Sequence, residues 1–166
     1  MILGIDIGVT GAIAILLPDG ELLEVFDMPT VDAGKKARRC RVIDARALHR
    51  IISGSLFNTV GSTAYVEDVS AMPKQGVSSV FSLGESRGCV RAALASVEVP
   101  TIFVKPQLWK KYYGLLGRDK DASRTRAIEL YPSYDCLSRK KDNGRAEAIL
   151  IGRWGVKQEI HGGKDK

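Results

Sequence analysis

Short apolar segments separated by glycine-containing turns open the chain and predict an antiparallel meander of three strands. Residues 2 to 7, 12 to 17 and 22 to 28 are apolar or alternate between apolar and polar positions, which is typical of strands. Residues 63 to 69 and 101 to 104 are rich in β-branched and aromatic residues and predict a fourth and a fifth strand.

The remaining segments mostly show helical spacing of their apolar residues. Asp44 is the predicted N-cap of a first helix, and Pro132 ends the fourth. The five predicted helices cover about residues 45 to 53, 77 to 96, 108 to 113, 122 to 131 and 144 to 154. Residues 29 to 41 are polar and basic and predict a loop.

These elements predict the α/β class, with a five-stranded mixed sheet flanked by helices on both faces. The sheet would combine the three-strand antiparallel meander with parallel strands. A chain of 166 residues is long enough for one domain, so we expect a single domain over residues 1 to 166 with a flexible tail from about residue 156.

Composition predicts an intracellular protein without a membrane segment. No basic segment followed by a long apolar one opens the chain, and no apolar run could span a bilayer. Three dispersed cysteines predict reduced thiols, and the two histidines make a zinc site a poor explanation. We expect a cytoplasmic or nucleoid-associated protein of a bacterial or phage-infected cell, with a processed organellar form as the open alternative.

The net charge of +6 and the pI of about 9.3 indicate an anionic partner. The basic residues form three clusters, which is typical of phosphate contacts along nucleic acid. The alternative is a set of solvated faces. The candidate DNA-binding residues in the clusters are Lys35, Lys36, Arg38, Arg39, Arg41, Lys110, Lys111, Lys120, Arg124, Lys140, Lys141 and Arg145.

Acidic residues at positions where apolar ones are expected mark a candidate catalytic site. Asp6 lies within the first strand on the face shared with Gly4, and Glu67 lies within the fourth strand. Asp68 points to the opposite face, so only one of the two neighbours can join Asp6. Structural alternatives are a turn capped by Asp6 and an ion pair of Glu67 with a buried lysine.

The last helix repeats this anomaly. Glu147 shares its apolar stripe with Leu150 and Trp154, the side expected to face the sheet. Asp142 precedes the helix and either reaches the same place or forms part of the helix N-cap.

Divalent metal is the cause that would explain these acids together. Converging carboxylates repel one another unless cations neutralise them, and Mg²⁺ prefers oxygen ligands. Two such ions about 4 Å apart can activate a water and stabilise a leaving oxygen. The chain has no glycine-rich Walker loop and no nucleophile elbow. The acids therefore predict phosphodiester hydrolysis, with no organic cofactor.

Three motifs in this order resemble those of RuvC-like resolvases in the ribonuclease H-like superfamily. They are GIDIGVTGAIAIL at 4–16, AYVEDV at 64–69 and KKDNGRAEAILIG at 140–152. The match is most similar to the branch that contains chloroplast resolvases and related bacterial and phage proteins. That branch has comparable versions of the segments at 27–30 and 74–76. The resemblance covers nearly the whole chain.

The resemblance implies a ribonuclease H-like fold and a structure-selective endonuclease that resolves four-way DNA junctions by paired symmetric nicks. It implies that Asp6, Glu67, Asp142 and Glu147 are catalytic metal ligands for two Mg²⁺ ions, which Mn²⁺ could replace. Asp6 would bridge the ions. It also adds Lys74 and Gln75 to the DNA-binding residues and implies a homodimer.

The small-residue face of the 77 to 96 helix is the candidate dimer contact, and burial of that face on its own sheet is the alternative. It carries Val77, Phe81, Gly84, Gly88, Ala92 and Ala95.

The chain departs from the family at two positions. Ser70 stands where bacterial RuvC proteins often have an aromatic residue that stacks on a base, so Met72 and Pro73 are candidates for that role. Glu147 stands where many relatives have aspartate, which predicts an altered metal geometry. Two other functions remain open, an actin-like or sugar-kinase-like ATPase and a non-catalytic DNA-binding module.

Overall fold

The apolar segments predicted as strands form the central sheet. The computed structural model describes residues 1–34, 40–54, 61–119 and 121–162. Its strands are β1 (Ile2–Asp6), β2 (Ala12–Leu16), β3 (Leu22–Asp27), β4 (Thr30–Asp32), β5 (Arg41–Ile43), β6 (Thr63–Glu67) and β7 (Thr101–Val104). The main sheet has five strands in the order β3-β2-β1-β6-β7.

The pairing directions confirm the predicted mixed sheet. β1 pairs antiparallel with β2, and β2 pairs antiparallel with β3, which completes the meander. β6 runs parallel to both β1 and β7. The two parallel pairs place the carboxyl ends of β1, β6 and β7 at one edge of the sheet.

Helices cover both faces of this sheet. They are α1 (Ala45–Ser53), α2 (Val77–Ala95), α3 (Pro106–Tyr112), α4 (Asp121–Leu130) and α5 (Asn143–Gly162). The Asp44 side chain accepts the backbone N–H groups of Arg46 and Ala47, so the predicted N-cap of α1 is confirmed. α5 continues about two turns beyond its predicted end, and the segment expected to be a flexible tail is helical as far as residue 162. No helix among the described residues combines the length and the apolar character needed to cross a bilayer.

The prediction of a loop for residues 29 to 41 is wrong at both ends of that segment. β4 and β5 form a separate two-stranded antiparallel sheet, in which Val31 faces Val42. Each strand has only three residues, too few for a visible alternation of apolar and polar positions. The predicted DNA-binding residues Lys35, Lys36, Arg38 and Arg39 lie outside the described residues, as does Lys120.

α5 lies in backbone contact with β1. A β-carbon added to Gly4 would lie 2.1 Å from the carbonyl oxygen of Ala148 and 2.3 Å from the backbone nitrogen of Gly152. One added to Gly155 would lie 2.3 Å from the ring of Tyr65. Glycine at these positions is therefore what allows the helix to approach the sheet so closely.

The opposite face of the sheet packs against α1 and α2. Leu3 and Ile5 of β1 belong to this second core, together with Val90 and Leu94 of α2. The predicted alternation along β1 is therefore present, since Ile2 faces the α5 side.

The small-residue face of α2 is directed away from the sheet. Val77 is 86% exposed and Phe81 is 73% exposed, and a β-carbon added to Gly84 or Gly88 would meet no atom within 4 Å. The alternative that this face is buried on its own sheet is wrong, because the buried stripe of α2 passes through Ser86, Val90, Ala93 and Leu94.

Candidate active site

Two of the predicted acidic residues lie side by side at the end of neighbouring parallel strands. The register pairs Ile5 of β1 with Val66 of β6, so the next residues along each strand are Asp6 and Glu67. Tyr65 belongs to the core on the α5 side, and Glu67, two residues further on, points to that same side. Both carboxylates are thus directed toward α5.

Glu147 of α5 completes a compact group of three carboxylates. One oxygen each of Asp6, Glu67 and Glu147 lies within 4.8 Å of the others. Gly144 allows the start of α5 to approach β1, because a β-carbon there would lie 2.3 Å from the Thr10 carbonyl oxygen and 3.2 Å from Asp6 Oδ2. The structure therefore joins three acids that are far apart in the sequence.

Asp68 lies on the opposite face, as the alternation along the strand predicts. Its Oδ1 accepts a hydrogen bond from Arg87 of α2 at 2.5 Å, and the same guanidinium donates to the Val69 carbonyl at 2.8 Å. Arg87 also lies over the Phe103 ring at 4.5 Å. This contact fastens α2 to the strand that carries Glu67.

The proton affinities of two of the three carboxylates, Asp6 and Glu67, are raised. Burial and the nearby charges of Glu67 and Glu147 raise the pKa of Asp6 well above its usual value. Burial, followed by the charge of Glu147, raises the pKa of Glu67 to about 7. Among the described residues, no lysine forms an ion pair with Glu67, and the turn after β1 is closed by the backbone hydrogen bond from Gly11 N–H to the Gly8 carbonyl and not by the Asp6 side chain, so neither structural alternative accounts for these acids. A cation would relieve this repulsion.

Lys110 and Ser123 hold the Glu147 carboxylate. Lys110 Nζ lies 3.3 Å from Glu147 Oε1, and the Ser123 hydroxyl donates to the same oxygen at 3.3 Å. Lys110 also lowers the pKa of Asp6 and of Glu67. The predicted DNA-binding Lys110 therefore lies within the acidic site, where its ammonium pairs with Glu147 and acts electrostatically on Asp6 and Glu67.

Trp109 is a residue of the site that the sequence analysis missed. Its side chain is fully buried, and its indole N–H has no well-formed hydrogen bond among the described residues. The interaction with Trp109 nevertheless lowers the pKa of Glu67, so the donor lies near that carboxyl. The only sequence signal was an aromatic residue directly before Lys110, which an ordinary core position explains equally well.

Asp142 is buried near the site but is not part of the three-carboxylate group. It accepts the backbone N–H of Arg139 at 2.8 Å and the Arg139 guanidinium at 2.7 Å. Burial alone would raise the pKa of Asp142, but the hydrogen bonds from Arg139 outweigh burial and lower it. Asp142 thus caps the short turn of residues 140–142 ahead of α5, not α5 itself, and it lines a cavity of about 190 Å³ together with residues 9–11 of the loop after β1.

The other predicted DNA-binding residues form two groups, those whose side chains are exposed and those that form ion pairs with neighbouring acids. Lys74, Gln75, Lys111, Lys140 and Lys141 are exposed. Arg41 is exposed and hydrogen-bonds to Thr30. Arg124 pairs with Asp121, and Arg145 forms a two-pronged pair with Asp27 at 2.6 and 2.8 Å. Arg124 and Arg145 also donate hydrogen bonds to backbone carbonyls, so both have partners within the protein before any ligand binds.

Glu67→Gln is expected to stabilise the metal-free protein at alkaline pH. A carboxyl whose pKa is raised to about 7 makes the folded state bind more protons than the unfolded state, so folding stability falls as pH rises from about 4.5 to 7. The variant removes this penalty, so its free energy of unfolding should exceed the wild-type value by up to about 3 kcal/mol above pH 7. The difference should vanish below about pH 4.5. Urea unfolding across this range with EDTA present measures it, and an equal difference at all pH values would contradict the electrostatic origin.

Comparisons with known proteins fit this geometry. No protein-family model matches the chain. Over 150 residues, 80% of the chain, it is 27% identical to the chloroplastic Holliday junction resolvase MOC1 of Chlamydomonas reinhardtii, and the match spans 17% of that protein's length. Among solved structures it is similar to Thermus thermophilus RuvC, with a TM-score of 0.58, 16% identity and coverage of 97% and 96% of the two chains. It is also similar to T. thermophilus RuvC in complex with a Holliday junction substrate, with a TM-score of 0.64, 15% identity and coverage of 97% and 95%. The predicted ribonuclease H-like, RuvC-type fold is therefore confirmed.

Proposed function

We propose that this chain is a divalent-metal-dependent endonuclease that resolves four-way DNA junctions. The observation that carries the proposal is the group of three carboxylates from β1, β6 and α5, held within 4.8 Å on a basic protein. The named relative is a Holliday junction resolvase, and one similar structure is bound to a Holliday junction. A non-catalytic DNA-binding module would have no use for this group, and a two-domain ATPase is not the fold observed.

The donor set fits Mg²⁺ or Mn²⁺. Asp6, Glu67 and Glu147 offer only carboxylate oxygens, which hard divalent cations prefer, and their mutual repulsion is what a cation would relieve. Asp6, Glu67 and Glu147 would hold the cations, with Asp142 as a further ligand. For Asp142 to become a ligand, its carboxylate has to leave Arg139.

The chain's own groups then place the scissile phosphate. Bound cations would supply charge stabilisation for an in-line attack by water on phosphorus. Lys110 can transfer from Glu147 to a phosphate oxygen, because a cation would take over the neutralisation of that carboxylate. Ser123 continues to hold the Glu147 carboxylate in that state. The exposed Lys140, Lys141 and Arg41 contribute sequence-independent phosphate contacts beside the site.

The proposed function is tested with purified protein and mapped products. Immobile and mobile four-way junctions, linear duplex and RNA–DNA hybrid are incubated with Mg²⁺, Mn²⁺, Ca²⁺ or EDTA. Symmetric paired nicks on the four-way junctions, dependent on Mg²⁺ or Mn²⁺, are expected. If the RNA–DNA hybrid is cleaved in preference to the junctions, the hybrid is the substrate and the junction is not. Tight ATP binding without any DNA cleavage would overturn the nuclease assignment.

We further propose that the protein is a homodimer joined through the outer face of α2. A junction offers two symmetric strands, and two active sites related by a two-fold axis would cut both. The exposed Val77 and Phe81, beside two glycines with open space at their Cα atoms, provide an apolar strip that allows close helix contact. A second copy of the same helix has the matching surface.

Phe81→Asp is expected to convert the protein to a monomer. The ring is 73% exposed, so the substitution should leave the fold intact while placing a charge in the apolar contact. Sedimentation velocity at micromolar concentration measures the change. Leu116→Asp, at another exposed apolar residue, is the matched control and should remain dimeric. A monomeric wild type or a dimeric Phe81→Asp protein would remove α2 as the interface.

A further inference from the structure

A groove lined by serine hydroxyls lies beside the acidic site. It is a cavity of about 390 Å³ between α2 and residues 8–10, the loop that follows Asp6. Four serines of α2 line it, namely Ser78, Ser79, Ser82 and Ser86. This volume lies within the range of about 300–1,000 Å³ that is common for ligand sites.

The hydroxyl groups in this groove have no structural partner. Within the part of the chain that the structure describes, none of the four forms a side-chain hydrogen bond, whereas Ser96 and Ser123 both do. Ser86 is the most informative, since it is only 5% exposed and lines the groove. The Ser86 hydroxyl is not fully enclosed and stays open toward the groove, and serine is a poorer helix former than alanine. The serines therefore indicate a ligand that is not part of this chain.

The chemistry of the groove suits the backbone of a nucleic acid strand. No residue that lines it carries an ionised side chain, and the residues offer hydroxyl and amide donors. α2 begins at the groove with Gly76 as its N-cap and no side-chain cap, so the positive end of the helix dipole adds to these donors. Phosphate oxygens are acceptors that all of these groups can serve.

The groove lies at the same end of the sheet as the acidic site. Its loop wall begins two residues after Asp6. At about 100° per residue, Ser82 and Ser86 lie roughly 100–140° around the helix axis from Phe81. A dimer formed through the Phe81 face would therefore leave the serine groove open to DNA.

We propose that the serine groove holds the sugar–phosphate backbone of the DNA strand that enters the acidic site, with the serine hydroxyls donating to phosphate oxygens. The proposal rests on the proposed nuclease function and adds a contact surface to it. Because these contacts are uncharged, they contribute affinity without releasing counterions, unlike the basic clusters. Their loss should therefore lower affinity at every salt concentration by the same factor.

The test compares a Ser78→Ala, Ser82→Ala, Ser86→Ala triple variant with its parent, both carrying Asp6→Asn so that DNA stays intact. The triple variant is expected to bind a four-way junction about tenfold more weakly, with an unchanged slope of affinity against salt. Its Tm should equal or exceed that of the parent, because alanine is a better helix former than serine. Ser53→Ala, at an exposed residue of α1, is the control and should change neither quantity.

The outcomes separate this inference from the proposed function. If the parent binds the junction and the triple variant binds it with unchanged affinity, the serine groove does not contact DNA. The nuclease assignment would remain. A loss of affinity accompanied by a lower Tm would also overturn the groove as a DNA contact, since the serines would then be structural. Inorganic phosphate at millimolar concentration should compete weakly and equally with both proteins. Selective competition with the parent alone would show a site for free phosphate in place of a strand.

Discussion

Asp6→Asn and Glu67→Gln proteins are expected to bind a four-way junction with wild-type affinity. Their rate of cleavage should fall by a factor of at least about 10² to 10³. Each substitution keeps the size of the side chain and removes one negative charge from the group that would hold the cations. The exposed basic residues lie outside this group, so binding should survive. Single-turnover cleavage with Mg²⁺ and equilibrium binding with Ca²⁺ measure the two properties separately.

Two further variants sharpen this result. Glu21→Gln, at the opposite end of the sheet from Asp6, is the control and should cleave normally. Asp142→Asn should abolish cleavage if Asp142 leaves Arg139 to bind metal, while Arg139→Gln should retain it. Equal losses of cleavage and of stability in both variants would restrict Asp142 to its capping contact. Normal nicking by Asp6→Asn or Glu67→Gln would end the assignment of the acidic site.

Gly4→Ala is expected to lower the free energy of unfolding by at least about 3 kcal/mol, the upper range for overpacking a core. The added methyl group would lie 2.1 Å from one backbone atom of α5 and 2.3 Å from another, and backbone atoms cannot rotate out of the way as a flexible side chain can. The helix would have to move off the sheet and would carry Glu147 away from Asp6. Urea denaturation measures the loss of stability, and Mn²⁺ binding by the remaining folded protein measures the displacement.

Gly76→Ala provides the matched control for this prediction. A β-carbon there would meet nothing nearer than the Ser79 hydroxyl at 4.0 Å, and the backbone φ of −62° suits alanine. Its stability should lie within about 1 kcal/mol of the wild type. Wild-type stability of Gly4→Ala would show that α5 does not rest on β1 at backbone distance.

The sheet and the three acids of the site could be predicted from the sequence because their signals are local and strong. Asp6, Glu67 and Glu147 each interrupt an apolar stripe, and burying an unpaired charge is costly enough to require a shared reason. The strands around them are bounded by clear turns. The placement of Asp68 on the opposite face followed from the alternation of side chains alone.

Other features depended on contacts that no periodicity reveals. The choice of Asp142 between a metal and Arg139 is decided by a neighbour three residues away, and both outcomes share one sequence. The indole N–H of Trp109 lacks a well-formed hydrogen bond among the described residues because of how α3 packs, and an aromatic residue at this position of the sequence predicts only burial. The outer face of α2 has small residues that suit burial equally well, so only the three-dimensional packing showed that it is exposed.

The backbone contact between α5 and β1 has a consequence for how this protein can evolve. Since main-chain atoms of Ala148 and Gly152 meet Gly4 directly, no side chain can be added at that contact without moving Glu147 relative to Asp6. Glycine is therefore expected to persist at positions 4 and 152 over generations, for as long as the acids have to stay together. Sequence drift in such a molecule should be narrowest where two stretches of main chain touch.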